Sequence, residues 1–132
     1  YGIFDDINLR KECCRVRKLV PLAKALKGYH GWISGIRIAQ SITRSDTKLM
    51  EFDDNFKLLK FNPLAHFSDE DVERYMREND IPQSALYAKG FKSIGCKPCT
   101  RAIKEGEDIR AGRWWWENPE HKECGLHLHK EK

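Results

Sequence analysis

The sequence predicts an α/β domain. Three observations lead there: apolar residues at helical spacing near the start, two β-prone runs around an acidic turn, and a well-capped amphipathic segment after them. With 132 residues the chain can bury one modest core. No stretch approaches the roughly 18 apolar residues that a membrane span requires.

The first helix is expected over residues 9–27, in two pieces. Leu9, Val16, Leu19, Val20, Ala23 and Leu26 recur at helical spacing. Pro21 fits where the second piece begins, and Gly28 is a natural stop. Gly31–Arg37 reads as a short buried strand that runs into a loop. Residues 40–46 are polar and loop-like. Lys48–Phe52 and Phe56–Phe61 flank Asp53-Asp54-Asn55, the pattern of a hairpin. Ser68 then caps a helix to about Asn79. Asp69, Glu70 and Asp71 occupy its first turn, Val72, Tyr75 and Met76 form its apolar face, and Pro82 follows as a stop. Residues 84–117 read as irregular. The polar stretch from Asn118 onward reads as a mobile tail, so the chain divides into a body of residues 1–117 and a tail of residues 118–132.

Net charge is +4, from 24 Lys and Arg against 20 Asp and Glu. The excess suits solubility, or an anionic ligand near the cysteines, where basic residues crowd. It does not demand nucleic acid. Tyr1-Gly2-Ile3-Phe4-Asp5-Asp6 has no basic region followed by an apolar run, so no signal peptide is expected. The chain opens without Met, and the expectation is the C-terminal part of something longer. Five cysteines make an odd count, which argues against a simple disulfide framework. A reducing, cytoplasmic location is expected, where thiols bind metal or do catalysis.

The cysteines fall into two pairs and a single. Cys13-Cys14 is an unusual ligand pair: on a helix the two side chains diverge by about 100°, so both reach one centre only if that centre is broad. An iron–sulfur cluster is broad; a single zinc ion is less accommodating. Cys96-Lys97-Pro98-Cys99 suits either. Taken singly, each pair could also be ordinary, one a redox disulfide and the other a core residue beside a neighbour. Together they favour a four-thiolate site. Cys124, in His121-Lys122-Glu123-Cys124-Gly125-Leu126-His127, is either a thiol activated by cationic neighbours or an inert surface cysteine.

Arg15, Arg17 and Lys18 follow the first pair, and Arg101 the second. Arg110 and Arg113 frame Ala111-Gly112, and a guanidinium matches phosphate or sulfate oxygens. Trp114-Trp115-Trp116 is read as core packing plus a lid, with base stacking as the alternative.

Several runs in order resemble the assimilatory adenylyl-sulfate reductases. They are Cys13-Cys14-x-x-Arg17-Lys18-x-x-Pro21-Leu22, Trp32-Ile33-x-Gly35-Ile36-Arg37-x-x-Gln40-Ser41-x-Thr43-Arg44 and Asn62-Pro63-Leu64-Ala65. Ser93-Ile94-Gly95-Cys96-x-Pro98-Cys99-Thr100-Arg101-Ala102 and Gly106-Glu107-Asp108-x-Arg110-Ala111-Gly112-Arg113-Trp114 continue the set, and Lys122-Glu123-Cys124-Gly125-Leu126-His127 closes it.

The resemblance implies an adenine-nucleotide-hydrolase-like fold with a pyrophosphate loop, a twisted, mostly parallel sheet and flanking helices, here incomplete at the N-terminus. It implies that Cys124 attacks the sulfur of adenosine 5′-phosphosulfate, that AMP leaves, and that thioredoxin or a similar dithiol frees sulfite. This places the chain in sulfate assimilation and cysteine biosynthesis. Cys13, Cys14, Cys96 and Cys99 would hold a 4Fe–4S cluster. Lys18, Arg110, Arg113 and His127 would contact the substrate, with Arg37 and Arg44 as further anion contacts assigned on motif and charge. The family's Ser-Gly-Gly-type pyrophosphate loop has no match here, so much of the nucleotide site would lie elsewhere. A reductase for the 3′-phosphorylated substrate and a non-catalytic four-Cys zinc module that binds nucleic acid are the alternatives. No membrane partner is expected, and homo-oligomerisation is left open.

Overall fold

The computed structural model describes residues 2–127. Helix α1 spans Ile7–Cys14, and Asp6 caps it by accepting a hydrogen bond from the Asn8 amide at 2.7 Å. Helix α2 spans Val20–Ala25, with Pro21 in its first turn, as the sequence predicts. The joint between them was not legible: Arg15–Leu19 forms a π turn. Proline explains it. Pro21 has no N–H to donate to the carbonyl four residues back, and the Val20 amide bonds to the Arg15 carbonyl five residues back.

Three strands form a mixed sheet in the order β1-β3-β2. Strand β1 (Gly31–Ile33) is parallel to β3 (Leu58–Phe61), and β2 (Met50–Asp53) is antiparallel to β3. The expected hairpin is therefore present. Its turn is held by the Asp53 carboxylate, which accepts from the Asn55 amide at 2.9 Å and the Phe56 amide at 3.3 Å. Helix α3 (Asp69–Glu78) starts where the sequence places it. Ser68 accepts from the Asp71 amide at 3.1 Å, and Asp71 returns a bond to the Ser68 amide at 3.0 Å. Residues 40–46, read as a loop, contain the end of the 3₁₀ turn Ile38–Gln40 and the whole of a second, Ile42–Arg44.

The expected strand running into a loop at Gly31–Arg37 is present, but the burial expected of the strand is corrected. Only Gly31–Ile33 pairs, and Ile33 is exposed; the buried part is the loop that follows, through Ser34, Ile36 and Arg37. Register explains the reversal. Side chains alternate across a sheet, so Ile33, Leu59, Phe61, Met50 and Phe52 share one face. That face is open: Ile33 is 74 % exposed, Met50 58 % and Phe52 57 %. The opposite face carries Trp32, Lys60 and Glu51. Lys60 is buried there, 3.2 Å from Glu51 and 5.5 Å above the Trp32 ring. The polar face points inward because it supports the site.

The core is small and built around sulfur. Cys14, Cys99 and Trp114 are buried together, with Ile3, Cys96, Trp116 and Cys124 packed against them. The rest of residues 84–117 is held by short turns and one bridge, Thr100 to Arg113. Among the described residues, no helix is long and apolar enough to cross a membrane.

The open apolar face has a measurable consequence. The chain as given is expected to enhance ANS fluorescence. Met50→Thr with Phe52→Thr is expected to cut that signal by about half with the far-UV circular dichroism unchanged. An undiminished signal in the double variant would show that the dye binds elsewhere.

Candidate functional site

The two cysteine pairs arrive from opposite directions. Cys13 and Cys14 end α1, and Cys96 and Cys99 bracket the 3₁₀ turn Lys97–Cys99. Pro98 stiffens that turn. The Cys96 carbonyl accepts from both the Cys99 amide and the Thr100 hydroxyl at 2.9 Å, and the Gly95 amide bonds back to the Thr100 hydroxyl at 3.1 Å. All four cysteines line one cavity of about 100 Å³, with Lys18 and Trp114 also in its wall. All five cysteines are free thiols. Among the described residues, no three His, Cys, Asp or Glu side chains converge on a position for a single metal ion. The sulfurs ring a volume; they do not meet at a point.

This volume is hostile to bare thiolates. Burial pushes the Cys99 thiol up, and the neighbouring Cys96, Cys14 and Cys13 push it further, while Lys18 pulls the other way. Burial likewise raises Cys14, opposed by Lys18 and Arg10. Four thiolates can share the cavity only if positive charge enters with them. The donor set and the cavity fit a polynuclear iron–sulfur group held by Cys13, Cys14, Cys96 and Cys99.

Cys124 packs against this same core. The segment expected as a mobile tail is docked on the body as far as His127, and residues 128–132 lie outside the described residues. A 3₁₀ turn at Pro119–His121 leads in. Arg10 donates to the carbonyls of His121 at 2.7 Å and Glu123 at 2.8 Å, and Arg110 to that of Lys122. Gly125 turns the chain at φ +91, a conformation that favours glycine, and an added Cβ there would press on Leu19 at 3.3 Å.

The predicted anion contacts sort by their partners. Lys18 lies in the π turn, 5.5 Å above the Trp114 ring. Arg113 stacks on the other part of that indole at 4.4 Å and donates to the Ile94 carbonyl at 3.1 Å. Burial lowers Arg113, offset first by the charge of Cys124. Burial also lowers Arg110, offset first by Glu123, whose carboxylate is 3.6 Å away. The Nε atoms of Arg110 and Arg113 are buried without a hydrogen-bond partner, a cost of about 1–3 kcal/mol each that an incoming acceptor would relieve. His127 stacks on Trp32 at 5.9 Å with its Nδ1 unpartnered. Burial, then Lys60 and Arg44, bring it down to about 3. The structure thus brings Arg110 and Arg113 within electrostatic reach of Cys124, sets Lys18 in the wall of the sulfur cavity and stacks His127 on Trp32.

Two predicted contacts are already engaged. Arg44 bonds to Glu123 at 2.9 Å. Arg37 is tied to the start of α3, 2.7 Å from Asp69 and 3.1 Å from the Phe67 carbonyl. Arg101, noted beside the second pair, grips Glu107 with both nitrogens at 2.8 and 2.9 Å. Of the three tryptophans, Trp114 is buried and Trp116 packs on the core, while Trp115 is 42 % exposed.

Sequence reasoning missed four residues here. Arg10 is almost wholly buried, forked onto Glu117, and stacked on Trp114 at 4.7 Å. Its signal was its place four residues before Cys14 on one helix face. Glu123 and Thr43 hold the tail to Arg44's neighbourhood, bonded at 3.0 Å. Gly95 has the clearest geometric reason: a Cβ there would lie 2.4 Å from the Arg113 guanidinium.

Comparison with known proteins shows the family. Residues 3–102 match the family model described as the phosphoadenosine phosphosulfate reductase domain. A protein of Rhizobium tropici named adenosine 5′-phosphosulfate reductase is 50 % identical over 130 residues, covering 98 % of this chain and 72 % of that protein. Proteins of the same name from Allochromatium vinosum and Neisseria meningitidis are 52 % and 48 % identical over 96 % of the chain. The chain spans about half the length of these two, 49 % and 52 %. The chain belongs to the phosphoadenosine phosphosulfate reductase domain family.

Proposed function

We propose that this chain is the cluster-bearing C-terminal part of a thiol-dependent reductase that converts adenosine 5′-phosphosulfate to sulfite and AMP in sulfate assimilation, in the cytoplasm. The observation that carries this reading is the packing of Cys124 on the core that holds Cys14 and Cys99, whose cavity four cysteines line, with Arg110 and Arg113 in electrostatic reach of it. The domain is proposed to belong to an adenine-nucleotide-hydrolase-like fold, of which these residues supply the mixed part of the sheet.

In the proposed reaction the Cys124 thiolate attacks the sulfur of the phosphosulfate. A Sγ–S bond forms, the S–O bond to phosphate breaks, and AMP leaves with the electron pair. Arg110 and Arg113 stabilise the charge that develops on the leaving phosphate, in a buried setting where such contacts act strongly. Their unpartnered Nε donors support that role. Lys18, in the wall of the sulfur cavity, would link that cavity to the substrate. His127, neutral at pH 7, can donate a hydrogen bond without adding charge. A dithiol of the thioredoxin type then attacks Sγ of the S-sulfocysteine and sulfite leaves. The second thiol of the donor restores Cys124, and the donor is oxidised to its disulfide. Cys13, Cys14, Cys96 and Cys99 would hold a 4Fe–4S cluster, which would tune the electrostatics near the sulfate. The zinc-module alternative is less well supported, because the four sulfurs surround a cavity and Cys124 would have no task.

Cys124→Ser is expected to lower sulfite release by about a thousandfold or more while the visible absorbance of the cluster persists. Full activity in that variant would remove the assigned nucleophile. Protein isolated without oxygen is expected to contain about four iron and about four acid-labile sulfide per chain, and Cys99→Ala to lose both. Zinc alone in their place would refute the cluster.

The docked tail also has a pH signature. His127 titrates at about 3 when docked and at the ordinary 6.5 when free. Between these values the undocked form binds a proton that the docked form excludes, so docking is fully present above pH 6.5 and weakens as pH falls through that window. NMR of the His127 ring is expected to show no titration near 6.5, with His127→Asn giving the assignment. A midpoint near 6.5 would mean that the ring is solvated.

A further inference from the structure

The residue before Cys124 carries a buried carboxylate that the sulfur chemistry does not use. Glu123 is 5 % exposed. Its Oε1 accepts from the Thr43 hydroxyl at 3.0 Å and Arg44 Nε at 2.9 Å, and its Oε2 from Arg44 Nη2 at 3.4 Å. Its carbonyl accepts from Arg10 at 2.8 Å. Arg10 comes from α1, Arg44 from the 3₁₀ turn Ile42–Arg44, and Arg110 from the loop before Trp114, so three separate stretches converge on residues 122 and 123. The next residue is Cys124, and Gly125 turns the chain away immediately after it. A buried carboxylate is costly unless paired, and Arg44 supplies the pairing.

We infer that Glu123 is the positioning residue for Cys124: its carboxylate, seated on Arg44 and Thr43, fixes the thiol against the four-sulfur cavity. Arg44 accordingly acts on the tail and not on the substrate. The inference rests on the reading of Cys124 as the nucleophile and adds how that thiol is placed. Anion-binding capacity remains with Glu123 seated, because Arg113 and Arg110 keep their unpartnered Nε atoms and Lys18 makes no ion pair among the described residues.

The test is the rate at which iodoacetamide alkylates Cys124 in the native chain, read by mass spectrometry of its peptide. The reagent is uncharged. Measuring up to the plateau at high pH separates access to the thiol from its ionisation. Glu123→Gln and Arg44→Met are each expected to raise the plateau rate about tenfold, and the double variant no further, as coupled partners require. Cys99 serves as the internal control, and its slow labelling is expected to stay unchanged. Thr43→Val removes one contact and no charge; it is expected to raise the rate about threefold and covers the case in which a charge-deleting variant fails to fold. Wild-type labelling of Cys124 in any folded variant, or additive effects in the double variant, would overturn the inference. Cys99 labelling that rises in step with Cys124 in every variant would also overturn it, since Glu123 would then be merely structural. Labelling reports position, not turnover, so Cys124→Ser with retained sulfite release would refute the nucleophile and leave this result standing.

Discussion

Four sulfurs in one cavity set the terms for everything around them. A thiolate is costly to bury, and each buried thiolate raises the cost of the next. The fold answers with cations held close, and Arg10 donates toward the Cys14 sulfur. Arg10, Lys18 and Arg113 all lie over the ring of Trp114, at 4.7, 5.5 and 4.4 Å. The indole face attracts them, and its bulk packs in the core with Cys14 and Cys99. Trp114 is therefore both the largest core residue and the element that holds positive charge beside the cavity.

The same arrangement ties the cavity to the tail. Arg10 lies one turn before Cys14 and reads the carbonyls of His121 and Glu123. Its remaining donors are forked onto Glu117, and both members of that pair are buried. Breaking a buried pair by removing one partner costs about 3–5 kcal/mol, whereas an exposed pair such as Lys57–Asp54 contributes little. Arg10 is thus fixed on one side by α1 and Glu117, and whatever shifts the end of α1 shifts the support beneath Cys124. The π turn that follows carries Lys18 into the same wall.

Local chemistry was legible where one or two residues decide the backbone. Ser68 with Asp71 fixed the start of α3, Asp53 fixed the hairpin turn, and Pro21 placed the second helical piece. The cavity was legible because cysteine spacing is itself the signal, and the two pairs do share one wall. What could not be read depends on contacts far apart in the chain. Arg44 and Arg110 look alike in sequence, yet Glu123, 79 positions on from Arg44, engages one far more closely than the other. Arg37 fits an anion motif equally well, but Asp69 and the Phe67 carbonyl hold it at α3. The strand at Gly31–Ile33 misled for a related reason. Its apolar residue suggested burial, whereas register with β3 turns Ile33 outward and puts Lys60 and Trp32 inward.

Partner saturation gives a rule for separating the arginines that build the site from those available to a ligand. Arg10 has two carbonyls and a carboxylate, Arg37 a carboxylate and a carbonyl, and Arg101 a carboxylate gripped twice. Each is a tie. Arg110 and Arg113 are buried like Arg37, yet each keeps an unpartnered Nε. Burial without full pairing is what a folded chain avoids unless something else completes the pairing. Gly95 strengthens the point, because the chain forgoes a side chain there and so leaves room for the Arg113 guanidinium. A structural arginine could have been moved by a rotamer change at little cost. One with a glycine opposite it, an indole beneath it and the charge of Cys124 nearby is held in a defined place, which supports the proposed anion contact.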